Sequence, residues 1–143
     1  ATPDGIMELL ERYRVPTAGK HVVVIGRSHI VGRPMSILMS QKRPAGDSTV
    51  TIAHSRTTNL EKLTLDADII VAALGIPEFL TADMVKEGVV AIDVGITRTS
   101  EGLVGDIDPG VVKVASAIAP MPGGVGPMTR AMLLSNLLTL HKD

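Results

Sequence analysis

The chain has 143 residues, no cysteine, two aromatic side chains and a formal net charge of -1. That length suffices for one domain with a real core, and 45% apolar against 20% charged residues marks a globular chain rather than a disordered one. Without aromatic platforms or surplus positive charge it lacks the means of a base-stacking nucleic-acid module or of an anionic-membrane binder, and without cysteine it forms no disulfide.

Ile6, Leu9, Leu10 and Tyr13 fall at i, i+3, i+4 and i+7, the stripe of an amphipathic helix. Thr2 or Asp4 is placed to cap it, with Pro3 at an early helical position. This start has none of the marks of a signal peptide, and no apolar run nears the roughly 18 residues of a membrane span. The expected compartment is the cytoplasm. Four runs rich in Val and Ile follow, at 20–26, 49–54, 68–74 and 88–94. They are mostly continuous rather than alternating, as in strands buried on both faces.

Helical stretches at 34–41, 58–65 and 81–86 separate these runs; the last has Thr81 as its cap and Gly88 as its stop. Residues 41–48, "QKRPAGDS", read as a surface loop, and 97–106, "TRTSEGLVGD", carry the Ser-Glu-Gly punctuation of a hairpin tip. Residues 111–119 supply another short helix and strand, and 127–141 a long final helix. This alternation implies right-handed crossovers and a parallel sheet with helices on both faces. The expected fold is a doubly wound, Rossmann-like α/β domain spanning 1–143.

The final helix is apolar almost all round, through Met128, Ala131, Met132, Leu133, Leu134, Leu137, Leu138 and Leu140. Such a helix needs partners on more than one side. The chain also opens on Ala1, almost directly inside a helix. The expectation is that the helices at 1–14 and 127–143 dock on a further domain or subunit.

The first strand runs into "GRSHIVGRP", Gly26-Arg27-Ser28-His29-Ile30-Val31-Gly32-Arg33-Pro34. In a dinucleotide fingerprint glycines allow a tight turn, a close pyrophosphate approach and close helix packing. Here the second glycine is Ser28, whose hydroxyl can donate to phosphate. A helix beginning near Gly32–Pro34 would aim its N–H groups and its positive dipole end at the ligand. The competing reading is that these glycines only make a tight strand-to-helix turn.

The second strand ends Ala53-His54-Ser55-Arg56-Thr57. An NAD site places a carboxylate there for the ribose 2′-hydroxyl. None is present, and His54, Ser55 and Arg56, with Arg27 nearby, suit the extra phosphate of NADP. The plainer account of Arg56 is a solvated loop charge. A second glycine cluster, "PMPGGVGPMT", enters the final helix. Its bare backbone after a late strand marks it as a ligand-contacting loop beside the carboxyl-end crevice.

"GRSHIVGRP", "TVTIAHSRT", "AIDVGI", "GDID" and "PMPGGVGPMT", in this order and spacing, closely resemble methylenetetrahydrofolate dehydrogenase/cyclohydrolase. The resemblance covers essentially the whole chain, but only the family's dinucleotide-binding domain. It implies NADP contacts at Gly26, Arg27, Ser28, Ile30 and Val31 in the turn. It implies others at His54, Ser55 and Arg56, at Ile96, and at Thr129. It assigns Pro122, Gly123, Gly124, Val125, Gly126, Pro127, Met128 and Thr129 to a loop bordering nicotinamide and folate.

The family oxidises the methylene bridge of a tetrahydrofolate derivative and opens the methenyl product with water. It relies on a Y-x-x-x-K motif in a folate-binding domain, and it usually pairs into a homodimer. Tyr13, the lone tyrosine, is followed by Arg14-Val15-Pro16-Thr17 and does not supply that motif. The resemblance therefore implies cofactor binding with almost no activity in this chain alone, and no catalytic residue within it.

His21, His29, His54 and His141 show no metal spacing, so no metal is expected. Asp66/Asp68 and Asp106/Asp108 are read as strand-start and turn carboxylates, and Asp93 as a structural hydrogen-bonding group. Two rivals remain: a non-catalytic dinucleotide sensor, which would not need the 122–129 loop, and a dehydrogenase of amino or hydroxy acids, which would need its own Lys or His base.

Overall fold

A computed structural model describes residues 2–119. Helix α1, Thr2–Arg12, leads into strand β1, His21–Ile25, then α2, Gly32–Ser40, β2, Thr49–Ala53, α3, Leu60–Asp66, and β3, Ile69–Ala72. A three-residue 3-10 turn at Ala82–Met84 precedes β4, Val90–Asp93. A hairpin of β5, Thr97–Thr99, and β6, Gly102–Val104, is followed by a second 3-10 turn, Pro109–Lys113, and β7, Ala117–Ala119.

Five strands form one sheet in the order β2-β1-β3-β4-β7, every neighbouring pair parallel. The continuous apolar runs reflect coverage on both faces. Val22, Val24, Ile69, Val71, Val90 and Ile92 join Met7, Leu10, Met35 and Met39 in one core. Val23, Ile25, Ile70, Ala72 and Ala91 join Leu80, Met84, Val111 and Ile118 in the other. Each core takes one of the two aromatics at its margin, Tyr13 in the first and Phe79 in the second. The expected α/β architecture and the hairpin at 97–106 are both present.

Three expectations are corrected. Residues 81–86 form no α-helix but only the turn Ala82–Met84. So short a segment cannot offset helix nucleation, and it settles by burying Met84 and Val85 against the sheet. The helix expected after residue 111 is likewise a 3-10 turn, started by Pro109 and capped by Asp108, which accepts from the Gly110 N–H at 2.9 Å. Strand β2 is not buried throughout, because it forms an open edge of the sheet with Thr49 and Ile52 exposed.

Helix α1 ends in a Schellman arrangement in which Arg14, at φ 53°, occupies the left-handed position usual for glycine. The Val15 N–H donates to the Leu10 carbonyl and the Arg14 N–H to that of Glu11, at 3.0 and 3.1 Å. The apolar stripe of α1 is buried in this chain's own core. A partner docking on α1 would therefore meet its opposite face, where Asp4, Glu8, Glu11 and Arg12 are exposed. The expected helix at 127–141 lies outside the described residues.

Among the described residues no helix is long and apolar enough to cross a membrane. His21 and the Asp66/Asp68 pair sit together at the amino edge of the sheet. The Asp68 carboxylate accepts from the His21 backbone N–H at 2.8 Å and pairs with Lys86 at 2.5 Å. That lysine, with the His21 N–H second, holds the Asp68 carboxyl below its ordinary value of 3.8. A lowered folded pKa adds stability that is present above the unfolded value and lost as pH falls through the folded one. Lys86→Met is therefore expected to lower the denaturation midpoint at pH 6 and to differ less and less from the parent chain as pH falls below 3.8. Urea titrations between pH 2 and 6 check this, and a difference that persists undiminished at pH 2 would contradict it.

Candidate functional site

Parallel strands bind ligands beyond their carboxyl ends, where strand order reverses. In the order β2-β1-β3-β4-β7 that point lies between β1 and β3, and the turn leaving β1 is Gly26 to Val31. Its shape depends on two glycines. Gly26, at φ +128°, is pinned by its N–H to the Ala53 carbonyl at 2.7 Å, and a Cβ there would collide with the Ala73 carbonyl. A Cβ on Gly32 would collide with the carbonyl of Gly26. The two glycines thus let α2 start against the end of β1, leaving a shallow bare-backbone cradle.

The expected use of α2's N–H groups is corrected by Ser28. Its Oγ accepts from the Val31 and Gly32 N–H groups at 3.1 and 3.4 Å, and its carbonyl accepts from Arg33 at 3.0 Å. Pro34 has no N–H, so the first turn of α2 has no donor to spare. The donors left for a ligand are those of the turn. No acceptor among the described residues takes the N–H groups of Arg27, Ser28, His29 or Ile30. Ser28 Oγ, having accepted, keeps its own proton to donate. Arg27, Ser28, His29 and Ile30 are all exposed, Ile30 to 75%.

The end of β2 lies beside this turn. The His54 N–H donates to Thr57 Oγ1 at 2.8 Å and its carbonyl accepts from the Thr57 N–H at 3.0 Å, a tight loop that leaves Ser55 and Arg56 exposed. His54 Nδ1 accepts from the Arg56 N–H at 3.2 Å. A neutral ring that accepts at Nδ1 carries its proton on Nε2. Yet Arg27 Nη1 stands 3.4 Å from that Nε2. Two donors face one another there, and they cannot satisfy each other. An anion between them would accept from both.

On the far side of β1 the crevice is walled by the residues after β3 and β4. Ile96 is exposed there, 52% of its surface reaching solvent. Asp93, buried at the end of β4, accepts from the N–H groups of Gly95 and Asp106 through Oδ1 and of Ile107 through Oδ2, at 3.1, 2.9 and 2.9 Å. Burial pushes its pKa up, against the three N–H bonds that favour the carboxylate. Its role is to close the base of the hairpin, in keeping with a structural group.

Asp106 is more than a turn residue. It is 1% exposed and ties the hairpin to the Leu74 and Gly75 amides after β3. Sequence reasoning missed this because "GDIDPG" reads as turn punctuation; the one available sign was an aspartate between Val104 and Ile107 in an apolar setting. His29 is an exposed turn residue. Among the described residues no group of three or more His, Cys, Asp or Glu is arranged for a metal.

A separate cleft of about 660 Å³ lies between α3 and the first 3-10 turn, lined by Asn59, Leu60, Glu61, Lys62, Phe79 and Met84. None of the residues singled out in the sequence lines it. Pro122, Gly123, Gly124, Val125, Gly126, Pro127, Met128 and Thr129 lie outside the described residues. Strand β7, which precedes them in the sequence, pairs with β4 in parallel, so its own carboxyl end lies at the same edge of the sheet.

The sequence model of the tetrahydrofolate dehydrogenase/cyclohydrolase NAD(P)-binding domain matches residues 1–143. The bifunctional protein FolD of Flavobacterium johnsoniae is 67% identical over 150 residues, covering 99% of this chain and 51% of that protein. The crystal structure of the bifunctional FolD methylenetetrahydrofolate dehydrogenase/cyclohydrolase of Campylobacter jejuni superposes with a TM-score of 0.81 at 48% identity, over 99% of this chain and 49% of that one. The Trypanosoma brucei FolD, whose structure is complexed with NADP cofactor and inhibitor, gives 0.78 at 40% identity, over 99% and 50%. The chain thus spans about half the length of the relatives it matches.

Proposed function

Because this chain belongs to the tetrahydrofolate dehydrogenase/cyclohydrolase NAD(P)-binding domain family, we propose that it is the NADP-holding half of a two-activity enzyme of one-carbon metabolism. The whole enzyme oxidises methylenetetrahydrofolate to methenyltetrahydrofolate and hydrolyses that to formyltetrahydrofolate. The cofactor supplies the nicotinamide ring that accepts the hydride. This chain's residues hold it: the free amides of Arg27 to Ile30 and the Ser28 hydroxyl toward the pyrophosphate, and Arg27, His54, Ser55 and Arg56 toward the 2′-phosphate.

The observation that carries this reading is the unsatisfied donor pair of Arg27 and His54, 3.4 Å apart. NAD offers no anion there; NADP does. The turn suits the same ligand, since its close-packed shape exposes backbone N–H groups and a Cβ at Gly26 or Gly32 would collide with the Ala73 or Gly26 carbonyl and force it open. Ile30 in the turn and Ile96 after β4 offer exposed apolar surface. The pairing of two such domains into a homodimer belongs to the same proposal and is supported by the open β2 edge, an unpaired row of backbone groups. A cytoplasmic setting and the 122–129 loop as the border with folate also belong to it.

Parallel calorimetric titrations of this chain with NADP and NAD test the cofactor assignment. NADP is expected to bind at least about tenfold more tightly, and Arg27→Ala or Arg56→Ala to weaken NADP by about 10- to 100-fold while leaving NAD nearly unchanged. Equal affinity for the two nucleotides, unmoved by either substitution, would overturn it.

A further inference from the structure

The proposed NADP reading fixes which way the dinucleotide runs. With the 2′-phosphate at the end of β2 and the pyrophosphate on the turn after β1, the cofactor crosses a sheet whose strands are spaced about 4.8 Å apart. Its nicotinamide half then lies over β3 and β4. The walls there are two separate pieces of chain: the segment Ala73 to Gly75 after β3, and the hairpin that follows β4 at Gly95 and Ile96. Neither is part of a long element, so something has to hold them in register.

Asp106 sits where these pieces meet. One carboxylate oxygen, Oδ2, accepts from both the Leu74 and the Gly75 N–H groups, at 2.6 and 3.0 Å. Its own N–H donates to Asp93 Oδ1 at 2.9 Å, and its carbonyl accepts from the Leu80 N–H at 2.8 Å. Its other oxygen, Oδ1, is buried with no hydrogen-bond partner among the described residues. Gly95 leaves room for that carboxylate, since a Cβ on Gly95 would collide with it. A second tie runs alongside, the Thr97 hydroxyl donating to the Gly75 carbonyl at 3.1 Å. A buried carboxylate with one oxygen unsatisfied is costly. A turn-forming aspartate has no need of that arrangement.

We propose that Asp106 is a positioning residue for the nicotinamide half of the cofactor, locking the Leu74–Gly75 backbone and the base of the hairpin to the end of β4. It does not touch the reacting atoms; it sets the shape of the wall they pack against. This rests on the NADP reading above. It makes a distinction that reading does not make: the two halves of the cofactor depend on different residues.

Adenosine 2′,5′-bisphosphate keeps the 2′-phosphate and adenosine but lacks the nicotinamide, so it separates the two. Asp106→Ala is expected to weaken NADP at least about tenfold and to leave the bisphosphate within about twofold. Asp106→Asn retains an oxygen able to accept from both amides, and should restore NADP binding to within about threefold of the parent. Thr97→Val, which removes the partly exposed second tie, should weaken NADP about threefold without moving the bisphosphate. An Asp106→Ala loss shared equally by both ligands, or no loss at all, would overturn the proposal. If Asp106→Ala does not fold, Thr97→Val decides alone: NADP affinity equal to the parent's overturns it. A parent chain that binds neither ligand would instead overturn the NADP reading itself, and this inference with it.

Discussion

Replacing Gly32 with alanine is expected to destabilise the chain by about 2 kcal/mol and to abolish measurable NADP binding. Propensity alone argues the other way: alanine in a helix is favoured over glycine by about 1 kcal/mol. Gly32 is the first residue of α2, so a propensity-based design would choose this substitution as stabilising. The new Cβ, however, would run into the carbonyl of Gly26 and lie 2.9 Å from Arg27 Cα. Both obstacles are backbone, and Gly26 is itself wedged against the Ala73 carbonyl. Neither side can yield, and overpacking of this kind costs about 3 kcal/mol. The collision wins.

The melting temperature should fall by about 5–10 °C for a domain of this size. The control is Gly88→Ala. Gly88, unlike Gly32, has a positive φ, +89°, and nothing stands within 4 Å of a Cβ there. Only the left-handed strain is felt, about 1–2 kcal/mol, and Gly88 precedes β4 at the sheet edge away from the turn. NADP affinity should therefore survive in Gly88→Ala and vanish in Gly32→Ala at comparable loss of stability. A Gly32→Ala chain that melts with the parent and binds NADP normally would refute the close-packed turn.

The parts of this fold legible in the sequence are those set by burial. Val22 to Ile25, Ile69 to Ala72 and Val90 to Ile92 are apolar without alternation because both faces of the sheet are covered, and that pattern needs no tertiary information to read. Residues 81–86 show the opposite case. A threonine, an acidic residue and a following glycine signal a helix, but only three residues turn, because docking Met84 and Val85 outweighs a short helix's own preference.

The site divides along the same line. The glycines of the turn and the absence of a carboxylate after β2 are local features and could be read directly. That Ser28 consumes the donors of α2 depends on where Pro34 falls in the first turn, a matter of one residue's register. That Asp106 reaches the amides of Leu74 and Gly75, more than thirty residues away in the chain, depends on the hairpin folding back over β3. Nothing in a short motif encodes that distance.

Joining this chain to the amino-terminal half of a relative is expected to have the largest effect of all. Alone, with NADP and methylenetetrahydrofolate, it should oxidise the folate no faster than background. Fused to the remaining half of the Flavobacterium johnsoniae protein, whose matching half is 67% identical, the rate should rise at least about ten-thousandfold. The physical reason is positional. Hydride transfer requires the donor carbon to be held within about 3.5 Å of the acceptor, in line with it. In this chain the described crevice offers groups for one reactant only, the cofactor of the proposed reading. Its polar groups are committed or remote: Asp93 and Asp106 bind backbone amides, Ser28 Oγ accepts from the start of α2, and Arg27 and His54 face one another at the opposite end. None is placed to orient or activate a second reactant. The Y-x-x-x-K pair that the family resemblance assigns to the other half would supply both. Stopped-flow absorbance of the reduced nicotinamide follows the reaction, with Gly123→Val and Gly124→Val in the fusion reporting on the 122–129 loop. If the fusion binds NADP yet never reduces it, the domain is a dinucleotide sensor. If the chain alone turns over within about tenfold of the fusion, its own residues carry the chemistry, and the division of labour proposed here is wrong.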